Sequence, residues 1–357
     1  MSPKNGRSSM THYSRRLGRA MGVEVHPYDL RNVIGKKLVH VQFEYNLRAF
    51  MPFGVAIVPY LIALRLLRTK VVITLHCVYS IRFFESTVKT SYSNHFPFLT
   101  GLAKWYVYLL TEIVSSIVHA IIVLNVEAKE ILEKEYKIRK VVYIEYCSYG
   151  LDEKDLIPRE EAKKKLGLDG KLIMFSFGEL HPRKRYELVV SLLPMLKKRY
   201  PSILYLISKV LPSTNPKKGL TYLEYLNDLI NKLDVEELTR FVDYIPEKEL
   251  KCYFRASDIV IFAHQDGGYG SAASKHAMSY LSTMVVSDVS CFRSLEDGVN
   301  CLKFRSKEEL FRQIVKALKN KSNFEKSLRR EIEELSIENH AENHLTVYRM
   351  LLSGQKM

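Results

Sequence analysis

Between Asp258 and Leu281 the chain changes character twice. Asp258-Ile-Val-Ile-Phe-Ala263 is a continuous apolar run, the pattern of a strand buried on both faces. Gly267, Gly268, Tyr269, Gly270 and Ser271 then loosen it, and from Ala272 onward Ala273, Ala277, Tyr280 and Leu281 recur at helical spacing. Strand, glycine loop, helix is an arrangement in which free backbone N–H groups and a helix dipole can meet an anion. Gly268 and Gly270 would let the backbone approach a phosphate, and Ser271 and Ser274 would add hydroxyl donors at the helix start. Taken alone, the stretch reads better as an ordinary turn whose glycines serve geometry. The rest of the chain has to decide.

The alternation recurs in both halves. Val23–Tyr28, Leu38–Phe43, Lys70–Leu75, Ala120–Leu124 and Val141–Tyr146 read as strands, with helices over 8–21 and 49–67 and a long aromatic segment over 83–116. A charged stretch with Pro158, from Leu151 to Lys165, reads as a linker. A second series follows: strands at Leu172–Phe177, Ile203–Ser208, Phe241–Tyr244, Asp258–Ala263 and Met284–Ser287, helices at 186–199 and 222–233, and a last helix over 339–352. With 357 residues, this predicts an α/β protein of two Rossmann-like, doubly wound domains facing a central cleft, with ligands at the carboxyl ends of the strands. The expected divisions are 1–155, 165–335 and a terminal helix, 336–357, packing back toward the first domain.

A net charge of +15 favours an anionic partner, but no nucleic-acid-binding motif is present, so nucleic acid is not expected. Five scattered cysteines, never in CxxC spacing, argue against a disulfide framework and against a zinc site. No leader and no membrane-spanning run is read, and a cytoplasmic setting is expected, with the inner face of the membrane open to it.

Three clusters carry candidate chemistry. Gly178-Glu-Leu-His-Pro-Arg-Lys-Arg185 lies between a strand and a helix, where Arg183 and Lys184 can hold a diphosphate. The glycine loop is the second, and His76, ending Thr74-Leu-His76, the third. Each has a plain structural reading, as a solvated basic turn, a tight loop and a buried histidine.

Their joint order resembles the family 4 retaining glycosyltransferases of GT-B architecture, across nearly the whole chain. The matching pieces are Asn5-Gly6, Val39-His40-Val41-Gln42, Thr74-Leu75-His76, Phe177-Gly178 with Pro182-Arg183-Lys184, Phe241 to Pro246, Ala256-Ser257-Asp258, Ala277-Met278, Val285 to Asp288 and Glu296 to Asn300. The resemblance implies transfer of a hexose from a nucleotide-sugar donor, with retention, without a metal and with no cofactor beyond the donor. It implies Arg183 and Lys184 on the donor diphosphate, with Gly268, Gly270, Ser271 and Ser274 cradling the same phosphates. Tyr244 and Pro246 would flank the base, His76 would meet the transferred sugar, and Gly6 and Arg7 would lie close to it.

The chain departs from the family where paired glutamates are usual. The second falls on His276 and the first near Gly268, with Asp266 as a stand-in. Glu179 replaces the usual arginine after Gly178, and no strand precedes Asn5, so either the first sheet lacks a strand or the start codon is misplaced. Two functions follow: a glycosyltransferase serving a membrane-proximal or lipid-linked glycan acceptor, or a catalytically silent sugar-nucleotide-binding subunit of a partner enzyme. Arg15, Arg16 and Arg19 with the aromatic segment Phe96–Tyr108 suit peripheral contact with an anionic membrane.

Overall fold

The computed structural model describes residues 9–45, 55–82, 84, 97–151, 153–212, 216–265, 271–319 and 321–355. They divide into two units, one holding the described chain up to Cys147 and again from Ile337, the other running from Ser148 to Ser336.

In the first unit β1 (Leu38–Phe43), β2 (Lys70–Leu75), β3 (Ala120–Val123) and β4 (Val141–Tyr143) form a parallel sheet in chain order. Val71, Val72, Ile73, Ile121 and Ile122 are completely buried, as a sheet covered on both faces demands. One face packs against Leu61 and Leu64 of the helix Ile57–Leu66 and Val107 and Leu110 of the helix Pro97–Ile117. The other packs Val72, Ala120 and Ile122 against Leu17 of the helix Ser9–Ala20 and Ala341 and Val347 of the helix Ile337–Ser353. The segment Val23–Tyr28, expected as a strand, is irregular apart from a lone bridge at Pro27 and a bend at Tyr28. Pro27 has no N–H to give a ladder, and Val23 is 48% exposed.

The second unit has six parallel strands, β5 (Leu172–Ser176), β6 (Ile203–Ser208), β7 (Thr239–Val242), β8 (Ile259–Phe262), β9 (Met284–Ser287) and β10 (Leu302–Phe304). Their order is β10-β9-β8-β5-β6-β7. The chain winds outward from β5 to β7, returns to the other side of β5 and winds outward again. This is the Rossmann order, with its switch point between β5 and β8, where a crevice opens at the carboxyl ends of the strands.

Two sets of contacts hold those central strands. At the carboxyl end, the buried Tyr205 donates to Ser176 Oγ at 2.8 Å, and Ser176 Oγ donates to the Ile261 carbonyl at 2.7 Å, tying β6, β5 and β8 together. At the amino end, Asp258 accepts from the Ile173 N–H at 2.7 Å and pairs with Lys163 Nζ at 3.1 Å, both side chains being buried. A charge pair so placed costs much if one partner is lost.

Sequence periodicity predicts one helix over 186–199, whereas the structure has two, Tyr186–Val190 and Leu193–Arg199. Pro194 lies in the first turn of the second, where its missing N–H is harmless, and it cannot continue the first.

Candidate functional site

The loop after β5 is shaped around Lys184. Gly178 has φ of +142°, and a Cβ there would lie 3.4 Å from Lys184 Cε and 3.5 Å from Nζ. The backbone conformation is what calls for glycine here; a Cβ would make only ordinary contact with the lysine. His181 caps the 3-10 turn Pro182–Lys184, its Nδ1 accepting the Arg183 N–H at 3.2 Å. Arg185 takes a left-handed φ of 52° and turns the chain into the helix Tyr186–Val190.

Across the switch point, His264 follows β8. Lys184 Nζ lies 3.1 Å from His264 Nε2, and the Gln265 N–H donates to the Arg183 carbonyl at 2.8 Å. The two strand-end loops are therefore joined by backbone as well as by side chains. His264 is buried, and its Nδ1 lies 3.9 Å from Cys291 Sγ.

Charge in this region is unbalanced. Burial, and then Arg183, bring the Lys184 pKa down to about 7, against smaller upward pulls from Cys291 and Glu179. Burial with Lys218, Arg183 and Lys184 pushes His181 down to about 4. Burial, Lys184 and Arg183 hold His264 well below its ordinary value. Among the described residues no carboxylate lies within ion-pair distance of Lys184. Burial is the largest cause of each of these depressions, and the neighbouring cations add to it.

Ser271 and Ser274 sit at the start of the helix Ala272–Ser279, where Ser271 Oγ accepts the Ser274 N–H at 3.3 Å and Ser274 Oγ donates to the Ser271 carbonyl at 2.7 Å. Both hydroxyls thus build the helix cap. His276, in the same helix, lies face to face with Tyr149, with the edge-on ring of Phe177 at 6.2 Å. Tyr244 is 74% exposed after β7, and Pro246 is the N-cap of the helix Glu247–Ala256. Gly6, Arg7, Asp266, Gly268 and Gly270 lie outside the described residues.

His76 belongs to the first unit, at the carboxyl end of β2. It lies 2.8 Å from Gln42 Oε1 through Nε2, and Tyr13 meets it edge-on at 5.2 Å. Burial pushes its pKa down to about 4, so it is neutral at neutral pH. The Gln42 contact makes Nε2 the protonated nitrogen.

The structure thus joins Arg183 and Lys184 in one turn and adds His264, which sequence reasoning missed. The available signal was its position, directly after a strand that the Rossmann order places beside β5.

A Rossmann-ordered sheet with a basic turn at its switch point defines a doubly wound α/β protein. Residues 158–339, half of the chain, match the family described as Glycosyl transferases group 1, and the chain belongs to that family. It is 22% identical over 178 residues to mannosylfructose-phosphate synthase of Agrobacterium fabrum, covering 48% of this chain and 38% of that one. The match therefore spans well under half of that relative's length. Sucrose-phosphate synthase of Thermosynechococcus elongatus is similar in structure, with a TM-score of 0.68 at 16% identity over 90% of this chain and 75% of that one. So is Anabaena HepE in complex with UDP, with a TM-score of 0.64 at 14% identity over 94% and 81%. The fold is that of the GT-B glycosyltransferases. Among the described residues no helix is long and apolar enough to cross a membrane.

Proposed function

We propose that the protein is a family 4 retaining glycosyltransferase that moves a hexose from a nucleotide-sugar donor to a membrane-proximal or lipid-linked glycan acceptor. The observation that carries the reading is Lys184, drawn into a cationic group at the switch point with no carboxylate within ion-pair distance among the described residues. A donor diphosphate placed there accepts charge-assisted hydrogen bonds from Lys184 and Arg183 as the bond to the sugar breaks and negative charge grows on the leaving oxygen. These cations take the place a metal would fill, so the reaction is metal-independent. The acceptor hydroxyl attacks the face the leaving group departs from, and its proton passes to the leaving phosphate. His76, neutral and with its Nε2 hydrogen already directed at Gln42, serves as a hydrogen-bonding group to the sugar and not as a general base.

Membership of Glycosyl transferases group 1 supports the transfer chemistry, and the UDP complex of the similar Anabaena protein supports a nucleoside-diphosphate donor. Exposed Leu102, Trp105 and Leu109 on the helix Pro97–Ile117 support the membrane-proximal acceptor; Arg15 and Arg19 are exposed on the helix across the sheet.

Calorimetry with UDP, GDP and ADP, followed by turnover assays with the matching hexose donors in EDTA, tests the reading. One nucleotide should bind in the micromolar range, and Lys184→Ala should weaken it by about 10- to 100-fold, the worth of a charge-assisted hydrogen bond. Product in the donor's anomeric configuration completes the case. No binding below millimolar concentration, or wild-type affinity in Lys184→Ala, overturns it. Binding without transfer or hydrolysis would identify a silent sugar-nucleotide-binding subunit instead.

A further inference from the structure

We propose that His264 is a positioning residue for Lys184: its imidazole presents the Nε2 lone pair to the ammonium and orients it without cancelling its charge. The inference rests on the donor-diphosphate reading of Lys184 and adds to it the group that aims the lysine. Five contacts carry it. Lys184 Nζ lies 3.1 Å from His264 Nε2. Ser287 Oγ donates to the His264 carbonyl at 2.7 Å, fixing the residue to the end of β9. The ring is wedged at 4.9 Å from Phe292 and 5.7 Å edge-on to Phe262, with Nδ1 toward Cys291 Sγ at 3.9 Å.

The choice of an imidazole has a chemical consequence. A carboxylate in the same place would hold the ammonium more strongly but would neutralise it, and a diphosphate would then have to compete with it. A neutral imidazole takes one N–H of the ammonium and leaves two for the ligand, with the positive charge intact. Burial keeps His264 neutral, well below its ordinary value, so the acceptor lone pair is retained under mildly acidic conditions. The groups that bear on Lys184 are Arg183, Glu179 and Cys291, with His181 and Lys218 beside Arg183. Burial and Arg183 bring the ammonium to about 7, and an acceptor 3.1 Å from Nζ favours its protonated form.

The test is the pH profile of binding by the full chain, read by calorimetry from pH 6 to 8.5 with UDP and with inorganic pyrophosphate as a base-independent probe. Wild-type affinity should fall as pH rises through the Lys184 titration. In His264→Leu that limb should move to lower pH by about one unit, so that affinity near pH 7.5 drops about tenfold while affinity at pH 6 stays within about threefold. His264→Gln, whose amide oxygen can accept, should stay within about threefold of wild type throughout. An unmoved limb in His264→Leu, or equal losses in His264→Leu and His264→Gln at every pH, overturns the proposal, since both mark a residue that only packs. Nitrogen NMR of the wild type reads the same contact without a variant: the Nδ1–H tautomer of His264 supports it and the Nε2–H tautomer overturns it. If Lys184→Met binds both probes as wild type does, the diphosphate reading fails, and this inference fails with it. If Lys184→Met loses binding while His264→Leu keeps the wild-type profile, only the inference fails.

Discussion

Tyr149 and His276 are stacked face to face, ring centroids 3.6 Å apart and planes 12° from parallel. The Tyr149 N–H also donates to Ser279 Oγ at 2.9 Å, so the segment following Ser148 is pinned to the helix Ala272–Ser279 twice over. The ring at position 276 therefore does mechanical work for its own unit, where the resemblance to family 4 led one to expect a carboxylate. Tyr149→Ala and His276→Ala should each destabilise the fold, and the double variant by less than their sum. A double-mutant cycle in urea should give a coupling of about 0.5–1.5 kcal/mol, the range for aromatic pairs. Strict additivity would mean that the stack contributes nothing beyond burial.

His76→Ala should lower turnover far more than nucleotide affinity, because the sugar contact proposed for it strengthens in the transition state. Expected values are a loss in kcat of about 100-fold, the scale of one lost transition-state hydrogen bond, against a UDP affinity within about twofold. With Nε2–H held by Gln42, the contact to the sugar is made by Nδ1 as acceptor. Equal losses in both would point to a damaged first unit.

The first unit should be acid-sensitive. Burial pushes His76 and His344 down to about 4 and His340 to about 3, and it holds His40 well below its ordinary value. They are joined through contacts of His340 with Tyr13 at 2.7 Å, His40 with Thr74 at 2.7 Å and with Tyr348, and His40 stacked on His344. Folded values lie below the unfolded value of about 6.5, so the unfolded chain binds the extra protons. The stabilisation is complete above about pH 6.5 and is lost as pH falls toward the folded values, by at most about 1.4 kcal/mol per pH unit for each histidine. Urea midpoints measured from pH 7 to 4.5 should therefore drop steeply, and His344→Leu should reduce the slope by about one proton. A flat profile would mean that these rings are hydrated.

Strands such as β2 and β6 were legible in the sequence because unbroken β-branched and apolar runs admit little else in a doubly wound sheet. The basic turn at Arg183 and Lys184 was legible because it follows such a run directly. The partner of Lys184 was not, since His264 is 80 positions away and meets it only once β5 and β8 lie side by side. β10, with three residues, is too short to show a period, and the break near Pro194 was hidden by apolar residues that continue through it. The roles of Ser271 and Ser274 within their helix cap depend on side-chain rotamers, which no spacing rule reports.

On the helix Pro97–Ile117, Leu102, Trp105 and Leu109 are 50%, 68% and 52% exposed, while Val107 and Leu110 face the core. If this surface meets lipid, the protein should co-sediment with anionic vesicles, less so as salt rises, and Trp105→Ser with Leu109→Ser should leave it in the supernatant with stability nearly unchanged. Equal recovery with neutral and anionic vesicles would remove the membrane from the account.

Lys163→Met should be among the most damaging single changes, at up to about 3–5 kcal/mol, because the buried Asp258 loses its closer cation and keeps only Arg159 at 3.9 Å. Thermal unfolding of this variant beside Lys184→Ala should separate the two sharply, the first losing stability and the second losing ligand.

That contrast follows from one pair of strands. β5 and β8 are anchored at one end by the Asp258 carboxylate and carry the Lys184 turn and His264 at the other. Anchor and loops are thus separated along the same two strands, so the loops after Ser176 and Phe262 can change without loosening the contacts that keep the sheet assembled. If those loops hold the donor as proposed, a designer can rewrite them and leave the Asp258 end untouched.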